Sequence, residues 1–315
     1  MKFSLKEFRQ EYGTHEQCLE VIKRLRFSDL MECPKCKGKE KFYTVKGRTA
    51  YACNNCGHHI YPLAGTIFEK TTTPLDLWFF AMYLMTQTRS GTSAKQLERM
   101  LGVTYKTAWR MFKQIRMLMV NTIGTESSGG NGELLDGTVE IDETFIGGKG
   151  KNRAFKPNFN EIPKEVVMGM VQRNEQDKNG TDTGGNKVYL KHIPNTGKWT
   201  LLEQIKNHVD AKARVITDEY YGYTQLKYHC YKHDFVKHKE TYVVGDIYTQ
   251  NVENLWSILK RGIYGVYRVV SKKYLQAYID EYSWRYNNRK YQDKMFEKLL
   301  SEIANIKVIS QVKVA

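Results

Sequence analysis

Thr138-Val-Glu-Ile-Asp-Glu-Thr-Phe-Ile146 is the stretch that decides the fold class, because it combines a strand pattern with acids on an apolar strand. Successive side chains of a strand point to opposite faces, so Val139 and Ile141 share one face while Glu140 and Asp142 share the other. An acid inside an apolar strand is costly unless a cation or a partner compensates its charge. Asp142 is therefore a candidate metal ligand, with a solvated strand acid as the alternative.

The segments that follow this strand alternate between strand and helix patterns. Apolar β-branched runs predict strands, and helical periodicity predicts helices. The further predicted strands are residues 165–171, 187–193, 213–217 and 234–238, and the predicted helices are 200–209, 251–267 and 272–287. Three strands, a helix, a strand, a small helix, a strand and a helix is the order of a ribonuclease-H-like α/β domain, a mixed sheet with flanking helices.

Two more acids occur where such a sheet would place a site. Asp218 ends the strand 213–217, at the carboxyl edge where open α/β sheets bind their ligands. Glu253 and Lys260 share a side of the helix that begins near Asn251, about 10 Å apart along its axis. Two-ion phosphodiester cleavage needs carboxylates that hold the ions about 4 Å apart, and hard oxygen ligands suit Mg²⁺ or Mn²⁺. Singly, Asp218 could equally be a cap or turn residue, and Glu253 could be half of a surface ion pair.

The cysteines form two pairs with the spacing of a zinc ribbon. Cys33-Pro-Lys-Cys36 and Cys53-Asn-Asn-Cys56 are separated by sixteen residues, and two such pairs can converge on one tetrahedral ion. We therefore expect one structural Zn²⁺. A redox Cys-x-x-Cys site would need one motif rather than two, and a disulfide framework is not expected in an intracellular chain.

Residues 93–101 and 104–120 predict two helices on either side of Gly102. Helix, glycine turn and helix is the layout of a helix-turn-helix, whose second helix enters the major groove of DNA. The outward face of that second helix carries the candidate DNA-contacting side chains Lys106, Thr107, Arg110 and Lys113. An ordinary helical hairpin with a solvated basic face is the alternative.

The charge balance points to a polyanionic partner. The net charge is +15, and residues 1–120 hold 20 basic and 10 acidic residues, so the front of the chain should bind that partner most tightly. The longest apolar run, Leu77–Met85, has nine residues, whereas a bilayer crossing needs about 20. Together with the absence of a signal-like N-terminus, this predicts a soluble intracellular protein without a membrane partner.

Shifts in composition predict six segments along the chain. We expect an N-terminal helical segment at 1–30, a zinc ribbon at 31–68, a helix-turn-helix region at 73–121, a Gly/Ser-rich linker at 122–137, the α/β domain at 138–300 and a C-terminal tail at 301–315. The DNA-binding front would thus precede a separate α/β domain.

Three motifs resemble those of ISXO-type bacterial insertion-sequence transposases, in which a zinc ribbon precedes a ribonuclease-H-like domain with a D-D-E triad. Val139–Lys149 (VEIDETFIGGK) is similar to the first-aspartate segment, Asn251–Gly265 (NVENLWSILKRGIYG) to the third-acid helix, and Glu281–Arg289 (EYSWRYNNR) to the closing motif. The likeness covers roughly residues 20–295. By this resemblance the triad is Asp142, Asp218 and Glu253, and the nearest other acids are Glu140, Glu143 and Glu219.

The resemblance implies a DDE transposase, an enzyme for metal-dependent strand cleavage and strand transfer. It would bind the terminal inverted repeats of its insertion sequence, cleave the DNA ends and join their 3′ hydroxyls to target DNA. Asp142, Asp218 and Glu253 would bind two Mg²⁺ (or Mn²⁺), and Asn251 and Lys260 would position metal ligands or a phosphate. A homodimer or higher oligomer would assemble on double-stranded DNA, in the bacterial cytoplasm and associated with the nucleoid.

Two details of the resemblance leave roles open. The closing-motif residues Arg285, Asn288 and Arg289 would contact DNA or brace the active-site helix. The family pattern has a histidine shortly before Asn251, where Tyr248-Thr249-Gln250 stand here. His238, at the end of the last predicted strand, is the histidine that could take its place.

Two other functions are compatible with parts of the sequence. One is a non-catalytic regulator, in which a zinc ribbon and a helix-turn-helix bind DNA and the sheet domain serves oligomerisation. The other is a structure-selective nuclease of the same fold, which would need no sequence-specific front module. The intact acids and the spacing of Glu253 and Lys260 speak against the regulator.

Overall fold

The structure, a computed structural model, describes residues 4–27, 31–88, 90–126, 130–147, 164–174, 187–229, 231–237 and 245–305. The helices are α1 (Leu5–Tyr12), α2 (His15–Arg26), α3 (Leu75–Gln87), α4 (Ala94–Leu101), α5 (Tyr105–Arg116), α6 (Lys198–His208), α7 (Gln250–Gly262), α8 (Leu275–Asn287) and α9 (Met295–Asn305). The strands are β1 (Met31–Glu32), β2 (Lys39–Glu40), β3 (Phe42–Thr44), β4 (Tyr51–Cys53), β5 (His59–Ile60), β6 (Thr138–Ile146), β7 (Glu165–Gln172), β8 (Val188–Ile193), β9 (Arg214–Asp218) and β10 (Lys232–Val236).

The chain divides into two compact units. The sheet unit is Val120–Lys290, and the N-terminal unit combines Met1–Met119 with Tyr291–Ala315. The predicted limits between domains remain predictions, because they rest on composition alone.

A five-stranded sheet, in the order β10-β9-β6-β7-β8, forms the centre of the sheet unit. β6 pairs antiparallel with β7, and β7 with β8, whereas β9 runs parallel to both β6 and β10. The sheet is therefore mixed, with β6 in the middle, and the predicted ribonuclease-H-like α/β class is confirmed. The alternation of apolar and polar residues gave the bounds of β6 correctly.

Both faces of this sheet are buried, because successive strand residues supply apolar side chains to opposite faces. On one face Ile141 of β6 packs in a cluster with Leu201 of α6. On the other face Val167 of β7 packs in a cluster with Leu255 of α7 and Ile279 of α8. Helices thus cover the sheet on both sides, and α7 lies on the face that carries Glu140 and Asp142.

The segment predicted as a linker contributes to the core of the sheet unit. Ile123 and Leu135 are buried in the cluster on the α6 face, and Leu135 forms an isolated parallel bridge with Val209. Their burial ties the chain just before β6 to the sheet.

An aromatic cluster fills the core of the N-terminal unit. Phe8 and Tyr12 come from α1, Phe79 and Tyr83 from α3, and Phe296 from α9. The ring centroid of Phe296 lies 5.3 Å from that of Tyr12 and 5.7 Å from that of Phe8, in edge-to-face arrangements. Such pairs stabilise a core beyond their buried area. The core of this unit therefore needs residues from both ends of the chain.

Helices α4 and α5 begin and end close to their predicted positions. Ser93 and Thr104 cap them, each accepting a hydrogen bond from the backbone N–H three residues later. Between the helices Gly102 has φ = 65°, a left-handed conformation that glycine adopts without steric cost. The second helix ends at Arg116, earlier than the predicted residue 120, and a 3₁₀ turn at Met117–Met119 follows.

The most apolar predicted segment is buried in α3. This helix has 13 residues, and Trp78, Phe79 and Met82 are fully buried. A bilayer crossing needs about 20 apolar residues, and across the described ranges no helix has the length and hydropathy of a membrane span.

Gly169 of β7 leaves room for the indole of Trp256 on α7. A Cβ atom at residue 169 would lie 2.4 Å from Trp256 Cη2, so the helix or its tryptophan would have to move. We expect Gly169→Ala to lower the free energy of unfolding by about 1–3 kcal/mol, as overpacking does. Gly265→Ala, with open space around its Cβ, should change it by less than about 0.5 kcal/mol. Denaturant unfolding measures both, and equal stabilities would contradict the steric argument.

Candidate active site and metal centre

The four cysteines lie on two turns that repeat the same backbone geometry. Lys37 donates its N–H to the carbonyl of Cys33 at 2.9 Å, and Gly57 donates to the carbonyl of Cys53 at 3.0 Å. Lys37 and Gly57 both adopt positive φ, 61° and 68°. Each Cys-x-x-Cys pair therefore closes a tight knuckle, which brings its two sulfurs to one side.

The cysteine sulfurs have the spacing that a tetrahedral ion requires. All four lie within 4.8 Å of one another, with 3.6 Å between Cys33 and Cys56 and 3.9 Å between Cys36 and Cys53. Zn–S bonds of about 2.3 Å in a tetrahedron give sulfur–sulfur distances of about 3.8 Å. The four residues fit a structural Zn²⁺.

Asp142 lies on the β6 face that α7 covers. Trp256 of α7 donates its indole N–H to Asp142 Oδ2 at 2.8 Å. Burial raises the pKa of Asp142, and the negative charges of Asp218 and Glu253 raise it further, while the Trp256 hydrogen bond opposes them. The net shift is upward, so burial and the neighbouring acids disfavour the charged form of this carboxyl.

Asp218 and Glu253 reach this environment from two other elements. Asp218 ends β9, and its Oδ1 accepts a hydrogen bond from the backbone of Tyr220 at 3.0 Å. Glu253 lies in the first turn of α7, where its Oε1 accepts from Thr249 Oγ1 at 3.1 Å. Because both charges raise the pKa of Asp142, the three predicted acids share one electrostatic environment.

The three carboxylates are more widely spaced than the sulfurs. Among the described residues the four cysteines form a ligand group within 4.8 Å, and the three carboxylates do not. Carboxylates around two ions about 4 Å apart need not all reach one ion. The donor set of three hard oxygens, whose mutual repulsion a divalent cation would offset, fits Mg²⁺ or Mn²⁺.

Glu143 occupies the opposite face of β6 from Asp142. Tyr223 donates its hydroxyl to Glu143 Oε1. Burial, with smaller contributions from the charges of Asp142 and Asp218, raises the pKa of Glu143 to about 8 despite the Tyr223 hydrogen bond. Glu143 is therefore bound by Tyr223 on the face of β6 opposite Asp142.

The two predicted positioning residues both lie on α7. Asn251 donates from its side-chain Nδ2 to Glu140 Oε1 at 2.7 Å, and its backbone N–H donates to Glu140 Oε2 at 2.9 Å. Lys260 is half-buried, two turns after Glu253. Asn251 thus contacts β6 rather than an acid of the triad, and the role of Lys260 remains a prediction.

On α5 two of the predicted DNA-contacting residues are exposed and two are half-buried. Lys106 and Arg110 are exposed, and Thr107 and Lys113 are half-buried. Arg110 Nη2 donates to Thr73 Oγ1 at 3.1 Å. The Thr107 hydroxyl lies 3.1 Å from that of Thr104. The exposed basic surface of α5 is therefore centred on Lys106 and Arg110, and its contact with DNA remains a prediction.

The closing-motif residues are engaged within the sheet unit. Arg285, 7% exposed, donates to Oε1 of the fully buried Glu281 at 2.7 and 3.0 Å. Asn288 and Arg289 donate to backbone carbonyls of the preceding turn, at 2.8 and 2.7 Å. These contacts lie within α8 and the turn that follows it, and the two predicted roles, contact with DNA or bracing of the active-site helix, remain predictions.

Comparison with known protein families agrees with this arrangement. Residues 134–287 match the ISXO2-like transposase domain, and residues 13–59 match the transposase zinc-ribbon domain. The chain contains an ISXO2-like transposase domain, preceded by a transposase zinc-ribbon domain. A similar protein, described as an uncharacterized protein in transposable element ISH50 of Halobacterium salinarum, is 24% identical over 287 residues, 87% of this chain and 91% of the relative. The resemblance found in the sequence is confirmed, and the two matched regions contain the predicted acids and the four cysteines.

Glu140 and Arg173 form a pair for which the sequence predicts no role. Glu140 is fully buried, and Arg173 donates to it from Nε at 2.7 Å. The alternation in β6 put Glu140 on the face of Asp142, but no sequence signal pairs it with a residue 33 positions later. Arg173 also lies 3.6 Å from the ring centroid of Tyr248, in the segment where the family histidine was expected. His238 lies outside the described residues.

Proposed function

We propose that this ISXO2-like transposase binds the terminal inverted repeats of its element, cleaves the DNA ends and joins their 3′ hydroxyls to target DNA. Its family supports an enzyme acting on DNA. The observation that carries the proposal is the placement of the three acids: Asp142 on β6, Asp218 at the end of β9 and Glu253 in the first turn of α7. β6 pairs with β9, and Trp256 attaches α7 to Asp142. The charges of Asp218 and Glu253 raise the pKa of Asp142, though less than its burial does. Like charges held together without a cation are destabilising, which favours a site built for metal ions.

We propose the following roles for the site residues. Asp142, Asp218 and Glu253 would hold two Mg²⁺ or Mn²⁺. Bound there, the ions supply activation of the attacking oxygen and stabilisation of the leaving oxygen. Trp256 would keep Asp142 oriented through its indole N–H. Lys260 would bind a phosphate of the DNA beside Glu253.

The N-terminal unit would recognise DNA. Its four cysteines would hold a structural Zn²⁺ in the segment 31–68, and α4 and α5 in the segment 73–121 would form a helix-turn-helix. Lys106, Thr107, Arg110 and Lys113 would contact the DNA, and the net charge of +15 would make affinity fall steeply with salt. Joining two element ends would require a dimer or higher oligomer.

The proposal predicts both cleavage and joining. Wild-type protein, labelled DNA that ends in the terminal repeat, Mg²⁺ and a supercoiled target plasmid should give nicking at the repeat end and labelled target molecules. DNA with a scrambled end is the control and should give neither product above background. Gel electrophoresis of the labelled strands measures both steps.

Two outcomes would contradict the proposal in different ways. Cleavage of both substrates without joined products would favour a structure-selective nuclease. Specific binding of the repeat without cleavage in Mg²⁺ or Mn²⁺ would favour a regulator.

A further inference from the structure

Glu140 is a buried carboxylate that accepts four hydrogen bonds. Arg173 Nε donates to Oε1 at 2.7 Å and Asn251 Nδ2 to Oε1 at 2.7 Å. The backbone N–H groups of Asn251 and Val252 donate to Oε2 at 2.9 and 3.2 Å. The side chain is 0% exposed, so all of its interactions are with the protein.

These contacts make Glu140 the cap of helix α7. The first N–H groups of a helix lack partners within the helix, and no side chain beside the start of α7 caps it. Glu140 satisfies the N–H groups of the second and third residues, where a cap normally acts, although it is 111 residues away in sequence from Asn251. Its negative charge also suits the positive end of the helix dipole. The start of α7 is thus attached to β6.

Arg173 extends this attachment to the segment before α7. Besides balancing the charge of Glu140, it donates from Nη1 to the carbonyl of Asp246 at 2.6 Å and from Nη2 to that of Tyr248 at 2.7 Å. Its guanidinium also stacks on the Tyr248 ring. The chain entering α7 is therefore fixed relative to the same residue that caps the helix.

A second contact joins α7 to β6 one turn later. The hydrogen bond from Trp256 to Asp142 holds this turn, and Gly169, the cross-strand neighbour of Asp142, gives the indole the space it needs. Glu253 lies between the two attachments. Its distance from Asp142 is therefore set by Glu140 on one side and Trp256 on the other.

We infer that Glu140 is a positioning residue, which fixes Glu253 relative to Asp142 so that the two carboxylates can share metal ions. The inference rests on the proposed function, because it assumes that these carboxylates bind divalent ions. Glu140 itself would not touch an ion, since its two oxygens are taken by Arg173, Asn251 and Val252.

The test is Mn²⁺ binding to the full chain without DNA, followed by electron paramagnetic resonance of the free ion. Glu140→Gln keeps the shape of the side chain but removes the charge that pairs with Arg173. We expect its dissociation constant for Mn²⁺ to rise about tenfold, as for other residues that orient ligands. Glu133→Gln is the matched control, because it breaks an exposed ion pair with Lys187 in the same unit and should leave the constant unchanged.

Two further readouts separate positioning from a general loss of structure. Amide hydrogen exchange at Asn251 and Val252 should become at least about tenfold faster in Glu140→Gln. Four donors surround the two oxygens of Glu140, and the amide of glutamine offers them one oxygen and an NH2 group that cannot accept. DNA cleavage by the variant should recover toward the wild-type rate at high Mn²⁺. If Glu140→Gln does not fold, Glu140→Asp keeps the charge and shortens the reach to α7, and the same loss of Mn²⁺ affinity is expected.

The outcomes also separate this inference from the proposed function. Unchanged Mn²⁺ affinity in a folded Glu140 variant, with cleavage intact in the wild type, would overturn the positioning role alone. A loss of cleavage that excess Mn²⁺ does not restore would likewise overturn it. Cleavage that survives Asp142→Asn would instead overturn the assignment of the metal-binding acids.

Discussion

Asp142→Asn should lower the rate of DNA cleavage by about 1,000-fold or more, the scale seen when an essential catalytic group is removed. Asparagine keeps the shape of the side chain and can still accept the Trp256 hydrogen bond, so the loss would come from the missing charge. Single-turnover cleavage of labelled repeat DNA measures the rate. Glu219→Gln, which changes an exposed acid next to Asp218, is the control and should cleave like the wild type.

The same variant should be no less stable than the wild type without metal. The folded-state pKa of Asp142 is raised, by burial first and then by Asp218 and Glu253. The favourable contribution of its protonated form is therefore present below the unfolded-state pKa and lost as the pH rises through the folded-state pKa. At neutral pH the ionised group is a cost that asparagine removes.

Metal ions should reverse this order of stability. At about a hundred times its dissociation constant, a ligand stabilises a protein by about 2.7 kcal/mol. Mn²⁺ should therefore raise the Tm of the sheet unit in the wild type and raise it much less in Asp142→Asn. Full cleavage by Asp142→Asn, or an equal Mn²⁺ shift in both proteins, would contradict the assignment of Asp142 as a metal ligand.

Cys33→Ser should remove zinc and unfold the ribbon. Structural Zn²⁺ contributes apparent binding free energies of about 10–16 kcal/mol in small zinc modules, far more than the short strands β1 to β5 could supply. We expect the zinc content, measured by metal analysis, to fall from one ion per chain to well below one. The affinity for repeat DNA should fall at least about tenfold. The sheet unit should stay folded, because its core contains none of the ligands.

Cys18→Ala is the matched control for this experiment. Cys18 is buried on α2, outside the four-sulfur group. It should keep one zinc per chain. If Cys33→Ser kept its zinc and its full affinity for DNA, the ribbon would not depend on a zinc ion bound by four thiolates.

The sequence was sufficient for the features that depend on local patterns. Alternation in Thr138–Ile146 defined the central strand, and the spacing of the four cysteines predicted a cluster whose sulfurs do lie together. Ser93, Gly102 and Thr104 predicted both limits of α4 and the start of α5, because caps and left-handed turns are short-range preferences.

The features that the sequence left open depend on long-range contacts. The pairing of Glu140 with the start of α7 joins residues 111 positions apart, and neither segment carries a sign of the other. Arg285 illustrates the same limit within one helix. Periodicity does not tell an arginine that meets solvent from one that pairs with a buried Glu281 four residues earlier.

The placement of α9 in the N-terminal unit determines which of the two units can fold before the chain is complete. The sheet unit ends at Lys290 and, because domains generally fold as units, it can complete its own core without α9. The aromatic core around Phe8 and Tyr12 is complete only when Phe296, the last of these rings in the sequence, is present. A chain that stops before Phe296 could therefore complete the core of the sheet unit, while the N-terminal unit would lack the ring that Phe8 and Tyr12 contact.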